Sequence, residues 1–475
     1  MKPTRNDLGD RGRLAEVSMI ESLISIAFCL SSLVTVIILL LPSQYAPLPK
    51  SKISKGKQEP AVQILVLGDI GRSPRMQYHA LSIAQKGGKV VVIGYRESDP
   101  HPDIVSNPNI TIVPLRPPPA FLQTSNKIWF MICGPLKVIF QIAYLWKCLA
   151  YTTAPAQWMM VQNPPSIPTL AVASLSCFLR HTRLIIDWHN FGYSILALKL
   201  GPTHPLVKVS TWYERTFGRS ASVHLCVTDA MGSVLKQQFK LQAPVLTLHD
   251  RPASHFHPIA SPEERRAFLA TLPEAQSIRP LVESGGVEVL VSSTSWTPDE
   301  DFSILIDALQ KYSAQAETET HLPHVLAIIT GKGPQKEMYM QQIAALEAAG
   351  KLKKVTLRTA WLTVTDYARL LASASLGVSL HTSSSGVDLP MKVVDMFGAG
   401  LPVVGWNRFE AWPELVTEGV NGRGFGSAAE LTDQLVNLFS SQQQLDRLRA
   451  GAQKESARRW DDEWSPVAGT LLGLT

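Results

Sequence analysis

Short apolar runs, each closed by polar or turn-forming residues, recur along most of this 475-residue chain. The stretch from Ala61 to Tyr95 has the pattern of strand, loop, helix, glycine turn and strand, which predicts a βαβ unit. Similar runs continue as far as "APVLTLHDRP", with helix-like segments between them. Runs that are apolar throughout and end in polar residues are typical of parallel strands buried on both faces.

A second series of such runs begins near residue 286, with predicted strands "VEVLVSSTS", "HVLAIITGKGP", "KVTLRTAWL", "LGVSLHTSSS" and "LPVVGW". Two successive α/β series predict two doubly wound, Rossmann-like domains that face each other across a cleft. We place them at residues 61–252 and 253–475, the second closing with C-terminal helices. Ligands of such folds bind beyond the carboxyl ends of the strands, which is where the polar clusters of this chain fall.

The segment from Leu23 to Leu41 carries no charge for nineteen residues, which is long enough to span a bilayer as a helix. A cleaved signal peptide is the alternative. The run is long for one, however, and Pro42-Ser43-Gln44 offers no small-residue cleavage pattern. We therefore predict an N-terminal tail (1–22), a retained transmembrane anchor (23–41) and a linker (42–60).

Composition and charge narrow the class of protein. The formal net charge is +6, and residues 1–60 hold eight Lys/Arg against five acids, so half of the excess flanks the anchor. This placement favours contact with a membrane over binding of nucleic acid, for which no motif is present. The five cysteines show no paired spacing, which argues against a disulfide framework and a CxxC metal site and favours a reducing compartment.

Residues 126–151, "NKIWFMICGPLKVIFQIAYLWKCLAY", are very apolar and aromatic, but three lysines and a Gly-Pro pair interrupt them. Two interpretations remain open. The segment is either a buried helix of the first domain or an interfacial helix whose lysines meet lipid headgroups.

The stretch from Ser379 to Val403, "SLHTSSSGVDLPMKVVDMFGAGLPV", contains a candidate anion site. The hydroxyls of Ser383, Ser384 and Ser385 precede a helix that Pro390 opens, and a helix N-terminus attracts phosphate. Lys392 in the first turn adds a charge suited to phosphate, and Asp395 shares its face and could accept both hydroxyls of a ribose. The pattern fits a nucleoside diphosphate, although a local Lys–Asp pair on a solvated helix explains the spacing equally well.

The same stretch, as "PMKVVDMFGAGLPVV", resembles the donor-site helix of two-domain (GT-B fold) nucleotide-sugar glycosyltransferases, with Asp395 in place of the usual glutamate. "ITGKGP" resembles their pyrophosphate loop, which would put Lys332 near the phosphates. "RTAWL" stands where such enzymes pass main chain along the base. These enzymes place lysine and helix ends on the diphosphate, so no tightly bound cofactor is expected. A divalent metal is not indicated, because the acids of "PDED" (298–301) open a helix and complement its dipole.

Longer motifs narrow the resemblance. "GDIGRSPRMQYHA", "DWHNFGYSI", "LHDRP", "SSTSWTPDEDF" and "SLHTSSSGVDLPMKVVDMFG" occur in order, and together they resemble the family of β-mannosyltransferases that add the first mannose to dolichol-linked N-glycan precursors. The resemblance implies transfer from GDP-mannose to GlcNAc₂-diphosphate-dolichol with inversion to a β-1,4 linkage. It also implies a single-pass anchor in the endoplasmic reticulum membrane, contact with its lipid, and catalytic domains in the cytosol. It leaves association with a second copy, or with other mannosyltransferases of the pathway, open.

An inverting transfer needs a base for the acceptor hydroxyl, and the strand ends offer two candidates. Asp69 lies in the first strand-end loop, where a turn or capping role is an equal alternative. His189 closes "LIIDWHN", where Asp187 could orient it, but a role in positioning mannose or phosphate is an equal alternative.

Three arginines complete the candidate set. Arg72 and Arg75 in the glycine loop are candidates for the acceptor diphosphate, and the alternative for each is a surface arginine. Arg251 of "HDRP" is a candidate for the donor phosphates, with a structural salt bridge as its alternative.

Two other functions compete with the inverting enzyme. A catalytically inactive scaffold of the same assembly line would be expected to lose Lys392, Asp395 or the loop from Gly68 to Arg75, and all of these are present. A retaining glycosyltransferase with another acceptor has the same donor motif, so only the longer family motifs argue for inversion.

Overall fold

The computed structural model describes residues 5–46, 59–122, 127–297 and 300–474. Most of the predicted linker, from residue 47 to residue 58, lies outside the described residues. So do Pro298 and Asp299 of the acidic "PDED" stretch.

The first domain is built on a parallel sheet with the strand order β3-β2-β1-β4-β5-β6-β7. Leu65 in the central strand lies opposite Ile93 on one side and Val161 on the other, so the middle of the sheet is apolar on both flanks. The strands are β1 (Ala61–Asp69), β2 (Lys89–Tyr95), β3 (Ile110–Pro114), β4 (Trp158–Asn163), β5 (Arg183–Trp188), β6 (Val223–Cys226) and β7 (Val245–Thr247).

Helices cover both faces of this sheet, as the continuous apolar strands require. They are α2 (Pro74–Gln85), α3 (Pro102–Ser106), α4 (Lys127–Lys147), α5 (Thr169–Arg180), α6 (Gly192–Leu200), α7 (Pro205–Gly218) and α8 (Asp229–Gln237). Right-handed crossovers put α2 and α3 on one face and α4 to α8 on the other, because the strand order reverses direction after β3.

The second domain has a parallel sheet with the order β10-β9-β8-β11-β12-β13. Its strands are β8 (Val287–Ser293), β9 (His324–Thr330), β10 (Val355–Ala360), β11 (Leu376–Ser379), β12 (Val403–Trp406) and β13 (Gly422–Phe425). The predicted strands are confirmed. Strand β13 was not predicted, because its sequence, "GRGF", is too short and too polar to show a strand pattern.

The helices of the second half are α9 (Pro262–Thr271), α10 (Arg279–Ser284), α11 (Ser303–Thr318), α12 (Lys336–Ala348), α13 (Val364–Ser373), α14 (Met391–Gly398), α15 (Trp412–Leu415), α16 (Ala428–Phe439), α17 (Gln442–Ser456), α18 (Trp460–Trp464) and α19 (Thr470–Leu472). Helices α18 and α19 return to the first domain and pack against it. Trp460, Trp464 and Leu472 are buried in a cluster with Ile64 and Ala80. The C-terminus therefore completes the core of the domain that was predicted to end at residue 252.

The N-terminal helix α1 runs from Arg5 to Leu39, so it also includes most of the predicted tail. Within the described residues it is the one helix long and apolar enough to cross a membrane, over Ser22–Leu39, and none of that window is buried.

Helix α4 has two unlike faces. Leu145 is buried in the core of the first domain, while Leu136 and Ile139 are about half exposed or more. The fully buried interpretation of residues 126–151 therefore does not hold for Leu136 and Ile139, because no described part of the chain covers these side chains. The five cysteines all lie in the described part of the chain, and all are free.

Candidate active site

The carboxyl ends of the two sheets face each other, and loops from both domains meet there. The side-chain amide of Asn190 donates to Ser384 Oγ at 3.1 Å, and the Thr228 hydroxyl donates to the carbonyl of Val387 at 2.6 Å. Asn190 and Thr228 follow strands of the first domain, while Ser384 and Val387 belong to the loop that follows β11. The predicted cleft is therefore present, and the hydroxyl-rich loop forms one of its walls.

The loop after β9 packs directly on the loop after β8. A Cβ added to Gly331 would lie 1.8 Å from the carbonyl oxygen of Thr294, and one added to Gly333 would lie 1.8 Å from that of Ser295. Gly331 also has a φ of +125°, which side chains rarely adopt. Both glycines of "ITGKGP" are thus required for this close approach, and a turn of another sequence could not replace them.

A pocket of about 340 Å³ opens where these loops meet α14. Its lining includes Thr294, Gly331, Trp361, Tyr367 and Lys392, which brings together "ITGKGP", "RTAWL" and the donor-site helix as the resemblance implied. The ammonium group of Lys332 lies 3.8 Å from the ring centroid of Trp361. Lys332 therefore stands at the rim of a pocket lined by an aromatic ring, hydroxyls and a lysine, which suits a nucleotide.

Lys392 meets a carboxylate that the sequence did not point to. Its ammonium group pairs with Oε1 of Glu300, which is 4% exposed, and lies 3.4 Å from Ser295 Oγ. The other oxygen of Glu300 accepts from Thr294 Oγ1 at 2.7 Å and from the backbone N–H of Ser295 at 2.6 Å. Glu300 therefore neutralises Lys392 and fixes the loop after β8, so this acid of "PDED" holds two parts of the wall of the 340 Å³ pocket in place.

Asp395 is one turn further along the same helix. Burial, together with the nearby carboxylate of Asp250, raises the pKa of Asp395 to about 7. Burial and the charges of Asp395 and Asp250 raise the pKa of the Tyr78 hydroxyl to about 12. Asp395 therefore faces a crowded acidic corner between the domains. Near neutral pH its carboxyl group is ready to gain or lose a proton.

The three serines of the predicted anion site point elsewhere. Ser383 and Ser385 donate to Oδ1 of Asp388, the latter at 3.4 Å, and His381 Nε2 lies 3.1 Å from Oδ2 of the same carboxylate. Ser384 bonds across the cleft to Asn190 and to Ser194. None of the three lines the 340 Å³ pocket. Asp388 and the first domain use these hydroxyls in this structure, so the geometry does not support phosphate binding by the serines, which stays a prediction.

His189 lies at the end of β5 with its Nε2 2.9 Å from Oδ2 of Asp187. Asp187 is fully buried. Burial would raise its pKa, but Arg75, His189 and His79 together hold the pKa of this carboxyl well below its usual value. An ionised carboxylate only accepts hydrogen bonds, so Nε2 of His189 carries a hydrogen, and in the neutral form of the ring the lone pair is then on Nδ1. The prediction that Asp187 orients His189 agrees with this geometry.

Arg75 is not available to an acceptor. Its guanidinium group donates two bonds to Asp187, at 2.8 and 2.9 Å, one to Asp250 at 2.7 Å and one to the Leu248 carbonyl at 2.9 Å. Its side chain is 4% exposed. Burial lowers the pKa of Arg75, but the two carboxylates outweigh burial and raise it. The prediction of an acceptor-binding role is therefore wrong: Arg75 joins β5 to the segment after β7.

Asp69 holds a neighbouring loop. Its carboxylate accepts from Ser98 Oγ, from the backbone N–H of Glu97 at 3.1 Å and from that of Ser98 at 3.2 Å. Burial acts in the opposite direction, but the hydrogen bonds from Ser98 and Glu97 lower the pKa of Asp69. A carboxylate bound by three donors is a weak base, so the geometry favours the turn-forming alternative. Arg72, with its side chain 78% exposed and Nε 3.5 Å from Asp69, remains free to meet a ligand.

Arg251 forms a structural salt bridge, which was the alternative to its predicted contact with the donor phosphates. Its guanidinium group donates to Glu455 at 2.5 Å and to Glu463 at 2.6 and 3.1 Å, and it is 7% exposed. Glu455 lies on α17 and Glu463 on α18. Arg251 therefore fixes the C-terminal crossover and is not positioned on the donor phosphates, which corrects that prediction.

A further cluster spans the two domains. Glu414 on α15 accepts from the first backbone N–H groups of α8, those of Asp229 and Ala230, at 2.6 and 2.8 Å. Oε2 of Glu414 also lies 3.0 Å from Nε2 of His249. Ligand atoms of Asp229, His249 and Glu414 lie within 4.8 Å of one another. Since Glu414 is already bound by protein donors, we interpret the cluster as a contact that joins the domains.

Sequence reasoning missed Glu300, Asp388, Asp250 and Glu414. Glu300, Asp250 and Glu414 pair with residues that are distant in the chain, whereas Asp388 pairs with His381 and the serines of its own loop. Only the acidic stretch around Glu300 gave any signal, and it suggested the start of a helix.

Comparisons with known proteins agree with this architecture. Residues 287–441 match the family model described as "Glycosyl transferases group 1". The chain resembles sucrose-phosphate synthase from Thermosynechococcus elongatus with a TM-score of 0.60 over 88% of this chain and 98% of that one, at 13% identity. A likeness at that identity shows the fold, which is the two-domain GT-B glycosyltransferase fold.

Two relatives are much closer in sequence. A protein of Arthroderma benhamiae named chitobiosyldiphosphodolichol beta-mannosyltransferase is 52% identical over 94% of this chain and 97% of its own length. A protein of Yarrowia lipolytica with the same name is 44% identical over 93% of this chain and 92% of its own length. With identity this high over nearly the whole of both chains, this protein belongs to the chitobiosyldiphosphodolichol β-mannosyltransferase family.

Proposed function

We propose that this protein transfers mannose from GDP-mannose to O4 of the outer GlcNAc of GlcNAc₂-diphosphate-dolichol, with inversion to a β-1,4 linkage. The observation that carries the proposal is the 52% identity over 94% of the chain to a protein named for that activity. The product would be the first mannosylated form of the lipid-linked precursor used for N-glycosylation of proteins.

The donor pocket supports a nucleoside diphosphate sugar. The glycine loop brings backbone within reach of a diphosphate, and Lys392 at the start of α14 supplies positive charge at a helix N-terminus. Trp361 and Lys332 lie at the rim for the base and the phosphates. When the donor binds, its phosphate would replace Glu300 as the partner of Lys392. The charge that develops on departing GDP is then stabilised by a lysine already in place.

The His189–Asp187 pair supports an inverting displacement. In one step the acceptor O4 forms a bond to C1 of mannose while the bond from C1 to the GDP phosphate oxygen breaks. The O4 proton passes to Nδ1 of His189, the ring nitrogen that Asp187 leaves unprotonated. Arg72, exposed at the mouth of the first strand-end loop, is the remaining arginine for the acceptor diphosphate.

The anchor supports a membrane location. Helix α1 would hold the cleft beside the bilayer, so that a scarce lipid substrate becomes a local one. We place the protein in the endoplasmic reticulum membrane as a single-pass protein, with the catalytic domains on the cytosolic side, where GDP-mannose is supplied.

A direct assay tests the proposal. The full-length protein would be mixed with a lipid diphosphate chitobiose and either GDP-mannose or UDP-glucose, and the product digested with a β-mannosidase. We expect transfer from GDP-mannose alone and complete removal of the added sugar. A product resistant to β-mannosidase but sensitive to α-mannosidase would refute inversion. Tight GDP binding without transfer would favour the scaffold alternative.

A further inference from the structure

The helices on one face of the first domain carry an unusual number of exposed apolar side chains. Phe178 on α5 is 78% exposed, Trp212 on α7 is 61% exposed and Ile139 on α4 is 60% exposed. Helix α5 is the clearest case, because its one charged residue, Arg180, is buried and points inward. The outer face of a helix in a soluble protein normally carries charged residues, so exposed apolar side chains on these helices indicate a surface that contacts a partner.

These side chains belong to one continuous layer. Helix α4 packs against α5, α5 packs against α7, and α7 packs against α6. Leu198 and Leu200 on α6 extend the exposed apolar surface to the helix that begins just after His189. We call this surface the α4–α7 face.

The charge of the α4–α7 face has one sign. Between Asp103 and Asp229 the chain contains only two acids, Asp187 and Glu214, and both have no exposed surface. Basic residues are frequent over the same range. Those with side chains at the surface of this layer are Lys137, Lys147, Lys199, Lys208 and Arg215. An apolar face rimmed by lysine and arginine and free of exposed acid is complementary to anionic phospholipid.

A groove on α7 adds a second observation. It has a volume of about 430 Å³, and its lining includes Lys208, Trp212, Arg215 and Arg219. The Nε atom of Arg215 is buried without a hydrogen-bond partner, and its guanidinium group lies 5.5 Å from the ring centroid of Phe239. Two exposed cationic side chains, those of Lys208 and Arg219, line the same groove as the indole ring of Trp212. Such a groove fits a lipid phosphate, with the ring at the depth of the headgroups.

The face is continuous with the end of the anchor. The Tyr151 hydroxyl, just beyond α4, donates to the carbonyl of Leu40 at 2.8 Å. Arg180 at the end of α5 donates to the carbonyl of Ser43 at 3.0 Å, and its own carbonyl accepts from the N–H of Tyr45 at 2.8 Å. Where α1 leaves the bilayer, the chain is thus fastened to the edge of the α4–α7 face.

We propose that the α4–α7 face lies on the surface of an anionic bilayer, with its apolar side chains at the boundary between the lipid headgroups and the acyl chains. The first domain would then be docked by a broad second contact in addition to its anchor. The cleft would open beside the lipid at the start of α6. This docking goes beyond the sugar chemistry and does not depend on the identity of the donor.

Lipid-quenching fluorescence on the full-length chain tests the proposal. In a background that carries both Cys29→Ser and Cys133→Ser, single cysteines would be placed by Phe178→Cys and Trp212→Cys. Lys86→Cys, just beyond the end of α2 on the opposite face of the sheet, is the control. Burial raises the pKa of the thiols of Cys148, Cys177 and Cys226, which keeps them unreactive to the label. The labelled proteins would be inserted into phosphatidylcholine–phosphatidylserine vesicles that contain acyl-chain doxyl lipid.

We expect doxyl lipid to quench labels at positions 178 and 212 at least about threefold more than the label at position 86, because side chains on such a face enter the acyl boundary. Quenching at 178 and 212 equal to that at 86 would refute docking. Protection from aqueous iodide without doxyl quenching would also refute it, and would show that a protein surface or a second copy covers the face. With Lys208→Glu and Arg219→Glu together, quenching at 178 should fall in these vesicles. An unchanged value would refute the contribution of charge.

Discussion

Nε2 of His189 lies 2.9 Å from Oδ2 of Asp187, a carboxylate with no exposed surface. Arg75 compensates the buried charge from the other side, with its Nε 2.8 Å from the same oxygen. The imidazole is therefore held in one tautomer and one orientation at the wall of the cleft. This arrangement is what a positioned general base requires, whereas Asp69 is occupied in holding a loop.

His189→Gln should lower kcat by about 10²–10⁴-fold, the range usual for loss of a general base. Glutamine keeps a hydrogen bond to Asp187 but cannot take the acceptor proton. The dissociation constant for GDP should stay unchanged. Initial rates and calorimetric titration with GDP measure the two effects. Asp69→Asn is the comparison, and we expect it to cost much less in kcat. A larger loss for Asp69→Asn than for His189→Gln would identify Asp69 as the base.

Arg75→Met should lower the free energy of unfolding by roughly 3–5 kcal/mol, because it leaves Asp187 and Asp250 buried without their counter-charge. Arg72→Met on the same loop is the matched control. Its side chain is 78% exposed, and we expect a change within about 0.5 kcal/mol. Denaturant unfolding measures both. If instead Arg75→Met kept its stability and lost only affinity for the acceptor, the structural interpretation of Arg75 would be wrong.

Lys392→Ala should weaken GDP-mannose binding by roughly 1.5–3 kcal/mol, since a charge-assisted bond to phosphate is lost. Lys311→Ala, an exposed lysine on α11, should leave the affinity unchanged. Isothermal titration measures both. Equal affinity of the two variants would exclude Lys392 from the phosphate site.

Glu300→Gln tests the same site in the other direction. Glutamine still accepts from Thr294 and Ser295, but it no longer competes with phosphate for Lys392. We expect GDP-mannose to bind more tightly to this variant than to the wild type. Weaker binding would mean that the Glu300 carboxylate is needed in the liganded state.

Donor affinity should rise with pH through the pKa of Asp395, which is about 7. The prediction assumes that Asp395 binds the ribose of the donor: the ionised carboxylate can accept both ribose hydroxyls, whereas the neutral acid loses one acceptor position. The contribution of Asp395 to the free energy of unfolding changes with pH in the opposite direction. The native pKa lies above the unfolded value, so the stabilisation is complete below the unfolded pKa and is lost as the pH rises through about 7. Titrations of GDP-mannose, which does not itself titrate in this range, measure the effect. Asp395→Asn should abolish the pH dependence, and if the variant kept it, Asp395 would not be its source.

Glu414→Ala should loosen the contact between the domains. The carboxylate caps two backbone N–H groups of α8, and loss of such a cap costs about 0.5–2 kcal/mol. We expect a larger radius of gyration by X-ray scattering in the absence of nucleotide. Glu410→Ala, an exposed neighbour, is the control and should scatter like the wild type. An unchanged radius for Glu414→Ala would show that other contacts hold the cleft closed.

The amino-acid sequence by itself determined the two-sheet architecture and the donor motif. Both follow from local pattern, because buried parallel strands need continuous apolar runs and a phosphate loop needs glycine where backbones approach. Gly331 and Gly333 illustrate this, since each lies too close to the preceding loop for any side chain. Lys392 was found for the same reason, since its place in the first turn of a helix is visible in the sequence.

Only the tertiary structure decided which polar residues are free to act. Arg75 and Arg251 were predicted to meet ligands, but each pairs with a carboxylate from a distant segment. Ser383 instead donates to Asp388 of its own loop. His189 and Asp69 were equal as candidates until the fold put one beside Asp187 and the other beneath Ser98. The physical reason is that charge pairing depends on distance in space, and a buried charge must find its partner wherever the sheets bring one.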